Sequence, residues 1–123
     1  MDNSFQPTAE IRVARTYWRQ RGEHVRGAST CVQRMQKVLT QMNVQLANVI
    51  SDLSGLTGQT IVRAILAGER DSKKLAEFSH PQIRATREEI ARSLEGNWWP
   101  ELVFLLKQEM EMYDTYQLVV ASS

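Results

Sequence analysis

The sequence predicts an all-α protein with a long N-terminal coiled-coil helix, a small cluster of three short helices, and a long C-terminal helix folding back antiparallel on the first. Apolar residues recur at helical spacing in every candidate element, and no segment alternates apolar and polar residues as a strand would. The two ends also have complementary charge. Residues 1–50 carry seven basic and three acidic side chains, whereas residues 97–123 carry one basic and four acidic side chains.

The first predicted element is a coiled-coil helix over residues 8–53, preceded by a disordered or extended lead-in over residues 1–7. Thr8 and Ser4 are both candidate N-caps, and the start of the helix is placed near Thr8. Apolar residues hold an a/d heptad pattern for about six heptads, where three or four are typical of a coiled coil. The predicted dimer seam consists of Ile11, Trp18, Val25, Val32, Met35, Leu39, Met42, Leu46, Val49 and Leu53.

As a helix, the heptad run over residues 11–53 is roughly 65 Å long at 1.5 Å per residue. Its apolar seam must be covered by the rest of the chain, by a second copy, or by both. We expect a homodimer, with the parallel or antiparallel orientation left open. Because an unpaired charge in a buried seam is strongly destabilising, Leu39→Asp is expected to dissociate it.

Residues 54–99 are predicted to form a head of short helices, over residues 59–67, 72–78 and 86–94. Gly55 is the candidate residue that ends the long helix, Asp71 is a candidate N-cap, and Thr86 and Glu89 have the spacing of a capping box. Pro100 is well placed as the first residue of the last helix, within residues 100–123.

The glycine turn after the long helix has two interpretations. Residues 53–58 followed by an apolar helix resemble a helix-hairpin-helix, in which Gly55 and Gly58 would let the backbone approach a phosphate and Arg63 would add a charge. The alternative, which we favour, is an ordinary glycine turn between packed helices.

A broad basic face lies beside the predicted seam and comprises Arg12, Arg15, Arg19, Arg26 and Arg34. These side chains are candidates for clamping a nucleic-acid backbone, a role to which arginine is well suited. The alternative is a solvated flank that pairs with the acidic last helix. Trp98 and Trp99 are candidates for stacking on bases, but a core position is favoured for at least one of them.

Other features favour a soluble, non-catalytic chain. Cys31 is the only cysteine, so an intrachain disulfide and a cysteine zinc cluster are excluded. No apolar run approaches the length of a membrane span, and no group of residues forms a catalytic constellation. We therefore expect a cytoplasmic protein that is not an enzyme, has no cofactor of its own and does not associate with a membrane.

Five stretches carry a resemblance to a known family: residues 33–46, 50–58, 61–71, 93–98 and 113–117, in order along nearly the whole chain. Together they resemble the DEDD-type transposases of bacterial insertion sequences, the insertion sequence 110 family, also described as bridge-RNA-guided recombinases. In such proteins an N-terminal RuvC-like domain carries an acidic site for Mg²⁺, and a C-terminal domain carries a nucleophilic serine. This chain resembles the helical segment between them.

Neither family active site maps onto this sequence, so the resemblance assigns no catalytic residue here. It implies a truncated transposase that supplies the coiled-coil dimerisation segment, with DNA and a structured guide RNA as expected partners. The competing hypothesis is a purely structural coiled-coil module with no affinity for nucleic acid.

Overall fold

Five α-helices organise the chain in the computed structural model, which describes residues 8–50 and 53–122. They are α1 (Ala9–Gln41), α2 (Leu56–Leu66), α3 (Ser72–Ala76), α4 (Arg87–Ser93) and α5 (Pro100–Ser122), with a short 3₁₀ helix at Leu46–Asn48. No strand occurs among these residues, which confirms the all-α prediction. The predicted lead-in over residues 1–7 lies outside the described residues.

The two long helices pack against each other in antiparallel orientation. Gly27 of α1 lies against the Tyr116 ring of α5, and Arg34 Nη1 lies 3.9 Å from Glu109 Oε1, so later residues of α1 face earlier residues of α5. The predicted fold-back of the C-terminal helix is therefore confirmed.

Helix α1 ends at Gln41, not near residue 53 as the heptad pattern predicted. Asn43 adopts a left-handed conformation with φ of 60°, which asparagine tolerates better than most residues. The Asn43 N–H donates to the Thr40 carbonyl and the Val44 N–H donates to the Leu39 carbonyl, each at 2.9 Å. This pair of bonds is a Schellman motif, which satisfies the last carbonyls of a helix and turns the chain away from its axis.

The segment after this turn contributes to the core instead of continuing helix α1. Val44, Leu46, Ile50 and Leu53 are each at most 5% exposed. Their apolar spacing predicted the last turns of a coiled coil, but it reflects burial in an irregular segment under the head.

The N-terminal capping signals at Thr8, Asp71 and Thr86 are confirmed. The Thr8 hydroxyl accepts a hydrogen bond from the Ile11 N–H at the start of α1, and Asp71 caps α3. At the start of α4, Thr86 and Glu89 form the reciprocal bonds of a capping box.

The end of α4 docks onto the end of α1 through backbone contacts. The Gln45 N–H donates to the Ser93 carbonyl, and the Asn97 N–H donates to the Met42 carbonyl, both at 2.8 Å. Gly96 permits this approach, because a Cβ atom there would lie 2.5 Å from the Met42 carbonyl oxygen. The head is thereby fixed at one end of the α1–α5 pair.

One hydrophobic core joins the C-terminal half of α1, the head and α5. Its largest fully buried side chains include Met35, Leu39, Met42, Leu46, Ile61, Ile65, Leu75, Ile90, Leu94 and Leu106. The N-terminal part of α1 lies outside this core.

Candidate self-association surface and basic helix face

The predicted dimer seam divides into two parts with different surroundings. Met35, Leu39, Met42, Leu46 and Leu53 are buried in the core of the chain itself, and Val32 and Val49 pack partly buried against it. The prediction that a second copy covers these residues is therefore corrected, because the chain's own helices and irregular segment already cover them. The heptad spacing is the same whether a second copy or the chain's own helices bury the apolar residues.

The other part of the seam lies on a bare stretch of α1. Every residue from Thr8 to Gln20 is exposed, and we call residues 9–20 the extension. It is about 18 Å long at 1.5 Å per residue. Within the seam row, Ile11 is 38% exposed, Trp18 is 64% exposed and Val25, just beyond the extension, is 42% exposed.

The extension is bare because α5 is shorter than the part of α1 it would have to cover. Helix α1 has 33 residues and α5 has 23. Since Gly27 lies opposite Tyr116, the six residues that follow Tyr116 reach to about Arg21. Arg21 and Gly22 are the first residues of α1 to be partly covered.

Aromatic side chains enlarge the apolar surface of the extension. The rings of Tyr17 and Trp18 meet edge to face with centroids 5.5 Å apart, and Tyr17 is 39% exposed. Exposed aromatic residues of this kind are enriched at the energetic centres of protein interfaces.

The predicted basic face is largely solvent-exposed. Arg12, Arg19 and Arg26 recur at intervals of seven and Arg15 lies close by on the same side, since α-helices have 3.6 residues per turn. All four are exposed, and none forms an ion pair within the described residues. Arg34 differs, because it faces Glu109 of α5 at 3.9 Å. For Arg34 the structure therefore favours the alternative of pairing with the last helix.

Arg63 has a partner within the chain. Its Nη1 and Nη2 atoms donate to the two carboxylate oxygens of Asp114 at 2.9 and 2.7 Å. These hydrogen bonds lower the pKa of Asp114 below its ordinary value, against the opposing effect of burial. Arg63 thus ties α2 to α5 instead of extending toward a phosphate.

The glycine turn is not a helix-hairpin-helix, because α1 ends at Gln41 and no helix among the described residues runs directly into the turn. Leu53 and Ser54 lie in a turn, and Gly55 is the N-cap of α2, not the residue that ends α1. Gly58 is buried in the first turn of α2, where a Cβ atom would overlap the Leu53 carbonyl. The glycines allow close packing of the chain on itself, so the ordinary-turn interpretation applies.

Trp98 and Cys31 have structural surroundings. Trp98 is partly buried against the core, with the Arg70 guanidinium 5.1 Å from its ring centroid, which confirms a core position for one of the paired tryptophans. Trp99 is 58% exposed. Cys31 is 2% exposed, and its burial, with the nearby Glu109 carboxylate, raises the pKa of its thiol, so a reactive thiolate is disfavoured.

Comparisons with known proteins give no family assignment. No protein-family model, no curated protein and no solved structure matches this chain. Among residues 8–50 and 53–122, no helix has both the length and the apolar character needed to cross a membrane. Within the same residues, no three acidic, histidine or cysteine side chains form a group suited to a metal ion.

Proposed function

We propose that this chain is a self-association module of a DEDD-type insertion-sequence transposase, and that it joins copies of the protein through the extension of α1. The main observation in support of self-association is the apolar row along α1. The row is buried from Met35 onward, yet continues through Trp18 and Ile11, where the chain leaves it bare. The transposase assignment is supported by the resemblance of the five sequence stretches.

Burial of the exposed side chains of this row would contribute to the free energy of association. Burying a large apolar side chain contributes about 1.5–3 kcal/mol relative to leaving it in water. Ile11, Tyr17 and Trp18 are 38%, 39% and 64% exposed, so each would contribute part of that amount if a second helix covered it. An aspartate at Trp18 would place a charge in that contact.

Analytical ultracentrifugation of the unmodified chain and of Trp18→Asp tests the proposal. Dimer formation by the unmodified chain, and its loss in Trp18→Asp with helical circular dichroism unchanged, is the expected result. Phe78→Asp is the matched control, since Phe78 is an apolar side chain of the head with 47% exposure. A monomeric unmodified chain, or a Trp18→Asp variant that dimerises normally, would refute the proposal.

A second proposed function is nucleic-acid contact by the arginines of α1. It is supported by the exposure of Arg12, Arg19 and Arg26 on one side of the helix and by their lack of ion pairs within the described part of the chain. Arginine side chains bind phosphates with bidentate geometry and release counterions from nucleic acid. The purely structural alternative predicts the same dimer with no binding.

Fluorescence anisotropy separates these two alternatives. The full chain would be titrated into labelled duplex DNA and into a labelled structured RNA at several salt concentrations. The variant replaces Arg12, Arg19 and Arg26 with glutamine, and the control replaces Lys73, Lys74 and Arg87 of the head, which removes the same charge. Salt-sensitive binding that weakens in the α1 variant alone supports contact, because each lost phosphate contact lowers the salt slope by about 0.9. Equal weakening in both variants, or no binding at low salt, refutes it.

A further inference from the structure

Helix α5 has apolar side chains on two opposite faces. Leu106, Met110 and Tyr113 form the inner face and are buried against α1. On the other side, Leu105, Met112 and Val119 recur every seven residues and are 44%, 50% and 38% exposed. We call these three residues the outer row. Because each of these side chains is at least 38% exposed, the described chain leaves much of the outer row uncovered.

The bare stretches of α1 and α5 match in length. The outer row spans about 21 Å from Leu105 to Val119, and the extension spans about 18 Å. In one protomer, Val25 and Val32 of the heptad row that includes Ile11 and Trp18 line a recess together with Tyr113 and Val120 of α5. The extension therefore carries the heptad row that, further along α1, lies at the edge of the contact with α5.

A contact between the extension of one copy and the outer row of α5 in the other is compatible with the twofold symmetry of a homodimer. If two α1 helices lie antiparallel around a twofold axis, each α5 lies between its own α1 and the extension of the partner. The contact is then made twice, which is the reciprocal arrangement that a closed dimer requires. If half of the surface of each helix is covered, the 12 residues of the extension and the 23 residues of α5 give roughly 18 residues a side, slightly below the 20–30 of a standard interface.

Charge favours this pairing over contact between two extensions. The extension carries Arg12, Arg15 and Arg19 against Glu10, whereas α5 is acidic, and its Glu101 and Glu111 form no ion pair within the described residues. Arg15 lies beside the apolar row, so pairing two extensions would bring like charges together, which is unfavourable at an interface. Pairing the extension with α5 brings opposite charges together instead.

We propose that the occupant of the outer row of α5 is the α1 extension of a second copy of this chain, in a reciprocal antiparallel dimer. This inference rests on the proposed self-association and specifies its partner surface. It explains why α5 is apolar on the side that faces away from its own α1.

Cysteine cross-linking between two labelled copies tests the pairing directly. Cys31→Ala provides the background, because Cys31 is the sole native cysteine. One copy carries Trp18→Cys, and the other carries a cysteine in place of Leu105, Met112 or Val119. The expected result is a disulfide between the two different copies for at least one outer-row position. A Phe78→Cys copy serves as the control and is expected to remain unlinked.

A charge substitution in the outer row gives an independent readout. Met112→Asp is expected to weaken dimerisation at least about 30-fold, the effect of losing an interface hot spot, while helicity stays unchanged because Met112 faces solvent within one protomer. The pairing of the extension with α5 is overturned if the dimer survives Met112→Asp but not Trp18→Asp, and if disulfides form between two copies that both carry Trp18→Cys. The proposed self-association would still stand in that case. A monomeric unmodified chain overturns both.

Discussion

Alanine substitutions at Ile11 and Leu39 should separate the two parts of the heptad row, because both residues occupy the same heptad position. Leu39 is 2% exposed in the core, and Leu→Ala at such a site typically costs about 2–5 kcal/mol through lost burial and the remaining cavity. Ile11 is 38% exposed on the extension. Ile11→Ala should change the stability of the monomer by no more than about 0.5 kcal/mol, as is usual at surface sites.

The expected loss at Leu39 is a large fraction of the total stability, which for a domain of this kind is about 5–15 kcal/mol. Urea unfolding followed by circular dichroism, at a concentration low enough to keep the chain monomeric, measures both variants. With a denaturant slope of about 2 kcal/mol per molar, the midpoint of Leu39→Ala should fall by about 1–2.5 M. The midpoint of Ile11→Ala should stay close to that of the unmodified chain.

Two results would refute this reasoning. Equal destabilisation by both substitutions at low concentration would mean that the extension packs within its own chain. A Leu39→Ala variant that keeps its unfolding midpoint but loses self-association would mean that the whole seam is intermolecular, as the heptad pattern alone suggested. Because Leu39 is buried in the core of its own chain, Leu39→Asp should unfold the chain instead of merely separating two copies.

Three further predictions concern local contacts. Gly58→Ala should destabilise the chain by about 1–3 kcal/mol in urea unfolding, because the new Cβ meets the Leu53 backbone and overpacking outweighs the gain in helix propensity. Thr86→Ala should cost about 1 kcal/mol in the same assay through loss of the capping box. Asp114→Asn should cost less than about 1 kcal/mol at neutral pH, since the ion pair with Arg63 is solvent-exposed.

The pH dependence of the last variant follows from the lowered pKa of Asp114. A carboxyl whose pKa is lower in the folded state stabilises the fold above its unfolded pKa, and this contribution disappears as the pH falls through the folded value. The difference in the free energy of unfolding between Asp114→Asn and the unmodified chain should therefore shrink as the pH falls below about 4. A stability difference that grows on acidification would contradict the ion pair of Asp114 with Arg63. Unchanged stability in Gly58→Ala would contradict the close approach to the Leu53 backbone, and unchanged stability in Thr86→Ala would contradict the capping box.

Sequence reasoning was most successful where one local signal determines one local structure. The capping box of Thr86 and Glu89 and the start of α5 at Pro100 were predicted because their partners lie within one helical turn. The end of α1 was missed because the heptad spacing of apolar residues continues past Asn43 to Leu53. Asparagine after an apolar residue is also a signal for a left-handed helix terminus, and that signal determines the chain direction here.

The candidate site shows a different limit of sequence reasoning. A heptad row predicts that something covers it, but Leu39 and Trp18 have the same spacing and opposite surroundings. Which part is covered within the chain depends on where α5 ends relative to α1, and that is set by the turn at Asn43 and the docking of the head. Arg63 similarly looked available for a phosphate, because its partner Asp114 is distant in sequence.

The central claim is that the extension of α1 joins copies of this chain. Sedimentation equilibrium of the unmodified chain and of Trp18→Asp, from low to high micromolar concentration, tests it most directly. The unmodified chain should form a concentration-dependent dimer, and the variant should remain a helical monomer throughout the range. A monomer for both, or the same dimer for both, would contradict the account.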